Sequence, residues 1–329
     1  MKKRFYKFDN LKAILIFLVV FGHFLELVEG HRLLYLTIYS FHMPLFLFIS
    51  GYFARFNRKN VWSKMIYPYA AFQMLYTFFE KYLLGTESLQ LTFVKPRWIL
   101  WYLFALMVYH LMLPLFETRS VRAQYMIVAG TVLVGLLAGY DKRLGYDFSA
   151  ARIFTFMPFF LSGYYLSQNK VFSKRLPVSK TAYIILFFLS AFLIAIMIKV
   201  LSMSFITKKM LYGSYSYEAA GYTVQIKLLL YAFAGIWIAV FVMLMPDKRI
   251  PVLSAAGRFT MPVFLLHGFA VKLTGMYYDS IGEKLPFVSA LALSLFMVAL
   301  LGNRFTDKVF RILFTGELLC RRSAGHAQD

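Results

Sequence analysis

Apolar runs of 17 or more residues, separated by short polar segments, recur along the whole chain at 11–29, 34–53, 65–84, 98–116, 124–140, 152–168, 181–201, 224–245, 259–278 and 286–303. A helix rises about 1.5 Å per residue, so roughly 20 apolar residues match a hydrocarbon core of about 30 Å. The pattern predicts an all-α polytopic membrane helix bundle with about ten transmembrane helices. Gly130, Gly135 and Gly139 punctuate the fifth run and Pro158 the sixth, which membrane helices tolerate. The expected organisation is a cytoplasmic N-terminal segment at 1–10, a transmembrane domain at 11–303 and a cytoplasmic C-terminal tail at 304–329.

The polar exceptions to this pattern carry the chemistry. In FDNLKAILIFLVVFGHFLE, Asp9, Lys12, His23 and Glu26 lie in or beside the first run. Lys12 and His23 are eleven residues apart, which returns them to nearly one helix face with about 16 Å of rise between them. Asp9 precedes Lys12 by three residues and Glu26 follows His23 by three. The four therefore share a stripe that must face a bundle interior or a water-filled cavity. With Lys12 at one interface, His23 is expected near mid-bilayer. His42, in FHMPLFLFISGYF, and His267, in GRFTMPVFLLHGF, each lie about ten residues from the inner ends of their runs. All three imidazoles are thus expected at a similar depth, about 15 Å from the inner surface. Whether the ninth run touches the first two is not legible in the sequence.

Composition excludes a soluble domain: 60% of residues are hydrophobic, 16% are charged, and the mean hydropathy is +0.64. The net charge of +21 would suggest nucleic acid in a soluble chain. Here the bases cluster in short segments between apolar runs, such as MKKRFYK, Arg55 to Lys64, Lys170 to Lys180 and Arg304 to Arg322. They read as topology and as contact with anionic lipid headgroups, and they favour both termini in the cytoplasm. No loop is long enough for a separate catalytic domain, and no glycine-rich phosphate loop or two-cysteine metal pattern is present. The single cysteine, Cys320, excludes an intramolecular disulfide. The first run exceeds a signal-peptide core of 7–15 residues, so a retained first helix is expected. Any chemistry must lie inside the bundle or at its mouths.

Arg55 and Arg58 follow the second run directly, and Lys12 stands at the inner end of the first. A donor with phosphates at one end and its reactive group on a long thin arm would fit, phosphates on the bases and arm toward His23. Coenzyme A has that shape. Plainer readings stand beside these. Arg55 and Arg58 also suit positive-inside anchoring, and the three histidines also suit helix packing, with His42 satisfying a kink at Pro44. A metal site built from the three histidines leaves Glu26 and the basic mouth without a part. Arg152 is either a snorkelling end residue or a contact for an acceptor sugar. Trp98, Trp101 and Tyr102 read as an interfacial aromatic belt or as a sugar-stacking surface. His31 and His110, near run ends, read as structural.

These residues resemble the integral-membrane acyltransferase-3 family, and within it the fucose 4-O-acetylase-like branch. Lys12 and His23 match the family's basic residue, ten intervening residues and histidine. HMPLFLFISGY, from His42 to Tyr52, matches its second-helix block except at Leu47. Arg55 and Arg58 resemble its arginine pair, PFFLSGYYL from Pro158 to Leu166 its mid-chain block, and Gly257 to His267 its late block. Lys12 stands where many members carry arginine, and the extracytoplasmic hydrolase-like domain of larger members is not matched. The resemblance implies O-acyl transfer from acetyl-CoA or another acyl-CoA to a hydroxyl of a sugar or surface glycan, in a multi-pass protein of the bacterial cytoplasmic membrane.

For that reaction His23, Glu26 and His42 are the candidate catalytic residues. Lys12, Arg55 and Arg58 are the candidate donor-binding residues, and Asp9, Trp101, Arg152 and His267 line the acceptor side. No metal is expected. The partners are a glycan acceptor, membrane lipids and glycan-synthesis machinery, with no nucleic acid, and the oligomeric state is open. His23 would act as general base, or carry the acyl group covalently, and the bundle must be open to the donor down to its level. The alternative function is a proton-coupled transporter or flippase for a small polar solute or lipid-linked sugar, its histidines forming a proton relay.

Overall fold

A computed structural model describes residues 5–85, 91–145, 147–173 and 180–315, and the described chain is all-α. The bases at 2–4 and 174–175, and Cys320, Arg321, Arg322 and His326, lie outside the described residues. The principal helices are α1 (Tyr6–Leu25), α2 (Arg32–Phe53), α3 (Tyr67–Tyr82), α4 (Trp101–Met112), α5 (Val121–Leu137) and α6 (Ala150–Gln168). They continue with α7 (Lys180–Ser202), α8 (Val224–Leu244), α9 (Thr260–Ser280), α10 (Phe287–Leu301) and α11 (Arg304–Phe314).

A helix lies at each apolar run, but the expectation of about ten membrane crossings is corrected. Among the described residues four helices are long and apolar enough to cross: Tyr6–Leu25, Arg32–Phe53, Trp98–Phe116 and Val224–Leu244. A fifth is reached only if α10 and α11, bent by 71° across Gly302 and Asn303, count as one span. Several of the others fall short for physical reasons. α5 has 17 residues, short of the roughly 20 a bilayer core requires, and α3 carries Gln73, Glu80 and Lys81 among its 16 residues. α6 and α9 are long enough but are diluted by Arg152, Ser162, Gly163 and Gln168, and by His267, Gly268, Lys272 and Asp279. Apolar continuity in the sequence overstated what each helix offers to lipid. The placement of both termini in the cytoplasm was part of that ten-crossing reading and is not carried further. The long apolar helices associate the protein with a membrane, and α7 exposes Phe187, Phe188 and Phe192.

α1 occupies the middle of the bundle, against α2, α9, α10 and the short helix Pro251–Ala256. It begins earlier and ends sooner than its apolar run suggests. Asp9 stands in its first turn, where a carboxylate suits the helix dipole, and the chain reverses at Gly30 with φ +84°. His23 therefore sits in the last turn of α1 rather than half-way along it.

α2 and α6 share the most extensive helix contact among the described residues. A side chain at Gly51 would meet the carbonyl of Phe160, and one at Gly163 the carbonyl of Phe48. Each helix thus rests on the other's glycine, the small-residue packing that membrane helices use in the absence of a hydrophobic drive between them. The HMPLFLFISGY and PFFLSGYYL blocks are the two sides of this contact. Gly257 plays the same part against the carbonyl of Asp9 and brings the start of α9 onto α1.

Candidate functional site

The last turn of α1, the middle of α2 and the residues around Trp98 enclose a cavity of about 190 Å³. His23, Glu26, Tyr39, His42, Trp98, Trp101, Arg152 and Tyr212 line it. Glu26 caps the C-terminus of α1 in helical conformation, so the three-residue spacing holds and puts its Oε1 3.7 Å from Nδ1 of His23. That gap is too wide for a hydrogen bond. The hydroxyl of Tyr39 fills it, 2.8 Å from Glu26 Oε1 and 3.2 Å from His23 Nδ1.

Proton bookkeeping then orients the ring. An ionised carboxylate only accepts and a phenol has one proton, so Tyr39 donates to Glu26 and accepts from His23 Nδ1–H. Tyr35 also donates to Glu26 Oε1 at 2.9 Å, so in its 2.8 Å contact with Tyr212 the proton comes from Tyr212. With Nδ1 protonated, Nε2 of His23 carries the lone pair. Glu26 sits at the rim with 30% of its side chain accessible. Burial pushes its carboxyl up, but His23, Tyr39 and Tyr35 outweigh that and hold it below its ordinary range.

Two further imidazoles approach His23. The ring of His267, on α9, stacks on it with 5.4 Å between centres and 27° between planes. His267 Nδ1–H donates to the Val263 carbonyl at 2.9 Å, which leaves Nε2 as a buried acceptor without a partner among the described residues. His42 donates through Nδ1 to the Ile38 carbonyl at 2.8 Å, and its ring lies 4.7 Å from that of Tyr39. Contact between α9 and α1, which spacing alone leaves open, is therefore a feature of the fold. Among the described residues no group of three His, Cys, Asp or Glu side chains could hold a metal ion.

Trp98 closes another side, its ring 4.7 Å from His23. Its backbone φ of +36° is strained for a bulky residue. Two groups hold it there. Gln73 accepts from the Arg97 amide at 3.0 Å and donates to the Lys95 carbonyl at 2.9 Å. Glu80 binds both Arg97 and Lys272, at 2.5 and 2.9 Å, and Lys272 lies over the Trp98 ring at 5.3 Å. Arg152 stacks on Trp101 at 5.1 Å and donates to the Tyr212 carbonyl and the Ser214 hydroxyl at 3.2 and 3.4 Å.

The remaining sequence candidates lie at the other end of α1 and α2. Lys12 pairs with Asp9 at 3.1 Å. Arg55 donates to the Ala54 carbonyl at 2.7 Å and the Ser167 hydroxyl at 3.3 Å, and Arg58 is exposed at the start of the short helix Arg58–Val61. None of Asp9, Lys12, Arg55 or Arg58 lines the His23 cavity. Between the two levels, Phe46 is buried and Ser50 shares a 2.8 Å hydrogen bond with Tyr102. Sequence reasoning missed Tyr35, Tyr39 and Tyr212. The signal was present for two of them, because Tyr35, Tyr39 and His42 recur at the four- and three-residue intervals of one helix face.

Over 54 residues the chain is 50% identical to "Nodulation protein NolL" of Sinorhizobium fredii (strain NBRC 101917 / NGR234). That match covers 14% of this chain and 15% of the relative, so the chain spans only a small part of that protein's length in the alignment. No solved structure matches. A family model described as an acyltransferase domain matches residues 5–302, which takes in every candidate residue named above, and the chain belongs to that acyltransferase family.

Proposed function

We propose that the protein is an O-acyltransferase of the fucose 4-O-acetylase-like branch. It moves an acyl group, acetyl in the simplest case, from acyl-coenzyme A to a hydroxyl of a sugar or surface glycan, in a bacterial cytoplasmic membrane. The observation that carries this reading is the His23–Tyr39–Glu26 chain, which leaves Nε2 of His23 as a proton acceptor at a cavity. A sugar hydroxyl is a poor nucleophile at neutral pH, and a positioned general base contributes roughly 10²- to 10⁴-fold.

In the proposed reaction the acceptor hydroxyl attacks the thioester carbonyl as His23 Nε2 takes its proton. The tetrahedral intermediate collapses, the C–S bond breaks, and the proton passes to the departing thiolate to give free coenzyme A. Glu26, through Tyr39, stabilises the imidazolium formed on the way. Trp98 and Trp101 offer apolar faces for a sugar ring, and Arg152 offers donors to its hydroxyls. Lys12, Arg55 and Arg58 supply the cationic end suited to the nucleotide phosphates. The thioester arm reaches His23 from that end only if the layer of Phe46, Ser50 and Tyr102 parts.

The test is purified protein given acetyl-coenzyme A and a panel of saccharides. Equal release of coenzyme A and appearance of a sugar ester, read by mass spectrometry, is the expected result. Proton-coupled solute uptake into proteoliposomes with no ester formed would instead assign a transporter.

A further inference from the structure

A second, smaller cavity of about 40 Å³ adjoins the first, and Tyr39, Phe156 and Leu211 line both. Its distinctive feature is Lys227, one turn into the apolar helix α8 and 4% exposed. The ammonium donates to the Thr155 hydroxyl at 3.1 Å and lies 5.6 Å from the centre of the Tyr217 ring. Among the described residues no carboxylate pairs with it.

Burying a lysine without a counter-ion is costly, and membrane proteins rarely keep such a group without a use for it. An ammonium has three donors, of which Thr155 takes one and the face of Tyr217 attracts the charge. The cavity wall is otherwise mostly apolar, with Pro44, Phe159, Met210 and Leu230 among its residues. A space of this size exceeds the 10–15 Å³ that one water needs and suits a group of about three heavy atoms. Tyr39, which bridges His23 and Glu26, is one of the residues that line both cavities.

We propose that Lys227 and this cavity form a subsite for a carboxylate carried by a substrate, either at the far end of the transferred acyl group or on the acceptor sugar. The proposal rests on the acyl-transfer reading for its place in a reaction, but anion binding can be read without turnover. Lys227 would select substrates that bring the missing negative charge and reject neutral analogues that leave the ammonium unpaired.

The experiment has a binding arm and a kinetic arm, each run on the wild type and on Lys227→Met, which keeps the side-chain volume. In the first, thermal melting of detergent-solubilised protein is followed with succinate, glucuronate and the neutral glucose. At least one of the anions should raise the wild-type midpoint, and neither should raise that of Lys227→Met. In the second, succinyl-coenzyme A is compared with acetyl-coenzyme A on a neutral sugar, and a uronic acid with a neutral sugar under acetyl-coenzyme A. Lys227→Met should lower kcat/KM by about tenfold or more for whichever pair member bears the carboxylate, and the arm that responds identifies the source. Thr155→Val, which keeps the ammonium, should weaken the same selectivity by less. No anion-dependent shift in the wild type, or equal losses on neutral and charged substrates, would overturn the subsite. Anion binding lost in Lys227→Met, with no transfer from any donor, would support the subsite and defeat the acyl-transfer reading instead.

Discussion

One helical turn separates His23 from Glu26, and their facing atoms stand 3.7 Å apart with the Tyr39 hydroxyl joining them. A direct pair would fix only distance. The bridged one also fixes which ring nitrogen holds the proton. Tyr39→Phe should therefore lower kcat with little change in KM, by the value of a hydrogen bond to a charged group, about 1.5–3 kcal/mol. Steady-state kinetics with acetyl-coenzyme A measure this, and an unchanged kcat would remove Tyr39 from the relay.

Glu26 lies beyond the end of α1, and its carboxyl is held low by His23 and the tyrosines against the upward push of burial. A lowered folded value stabilises the protein fully above the unfolded carboxylate's range, about 4.3, and that stability is lost as pH falls through the folded value. Melts of the wild type and Glu26→Gln should differ at neutral pH and converge only on acidification below that range. Convergence on raising the pH would contradict the assignment.

A methyl group at Gly51 would press on the Phe160 carbonyl, and one at Gly163 on the Phe48 carbonyl. Neither carbonyl can move without shifting its helix. Gly51→Ala and Gly163→Ala should each lower stability by about 1–3 kcal/mol or more, seen as a lower thermal midpoint. Gly130→Ala, with open space at the site, should be neutral or slightly stabilising.

Glu80 holds Arg97 and Lys272 together behind the strained Trp98. The cost of Glu80→Gln should fall between the roughly 1 kcal/mol of an exposed pair and the 3–5 kcal/mol of a buried one broken from one side. Because Trp98 packs on His23, activity should fall further than stability alone explains. Melting and kcat measured on the same preparation separate the two.

The positions of α1 to α10 were legible, because apolar runs bounded by Gly, Pro and basic clusters are a local property, whereas α11, rich in charged residues, falls in the stretch read as a tail. The number of crossings was not, because it depends on length and on residues such as Arg152 and Lys272 that turn inward on otherwise apolar helices. The stripe joining His23 to Glu26 could be read from spacing alone. The stacking of His267 on His23 could not, because it depends on Gly257 bringing α9 against α1, a contact between residues 248 positions apart. Lys227 is a cation inside an apolar run, but that no carboxylate among the described residues pairs with it emerges only when the neighbours from α6 and the short helix Tyr217–Ala220 are in place.

The most direct test of the central claim compares the wild type with His23→Ala, purified to equal amounts and melting alike, for ester formation on the preferred sugar. The account predicts a loss of about 10²- to 10⁴-fold, the worth of a positioned general base, or complete loss if the acyl group passes through the imidazole. Ester formed by His23→Ala at the wild-type rate would contradict it.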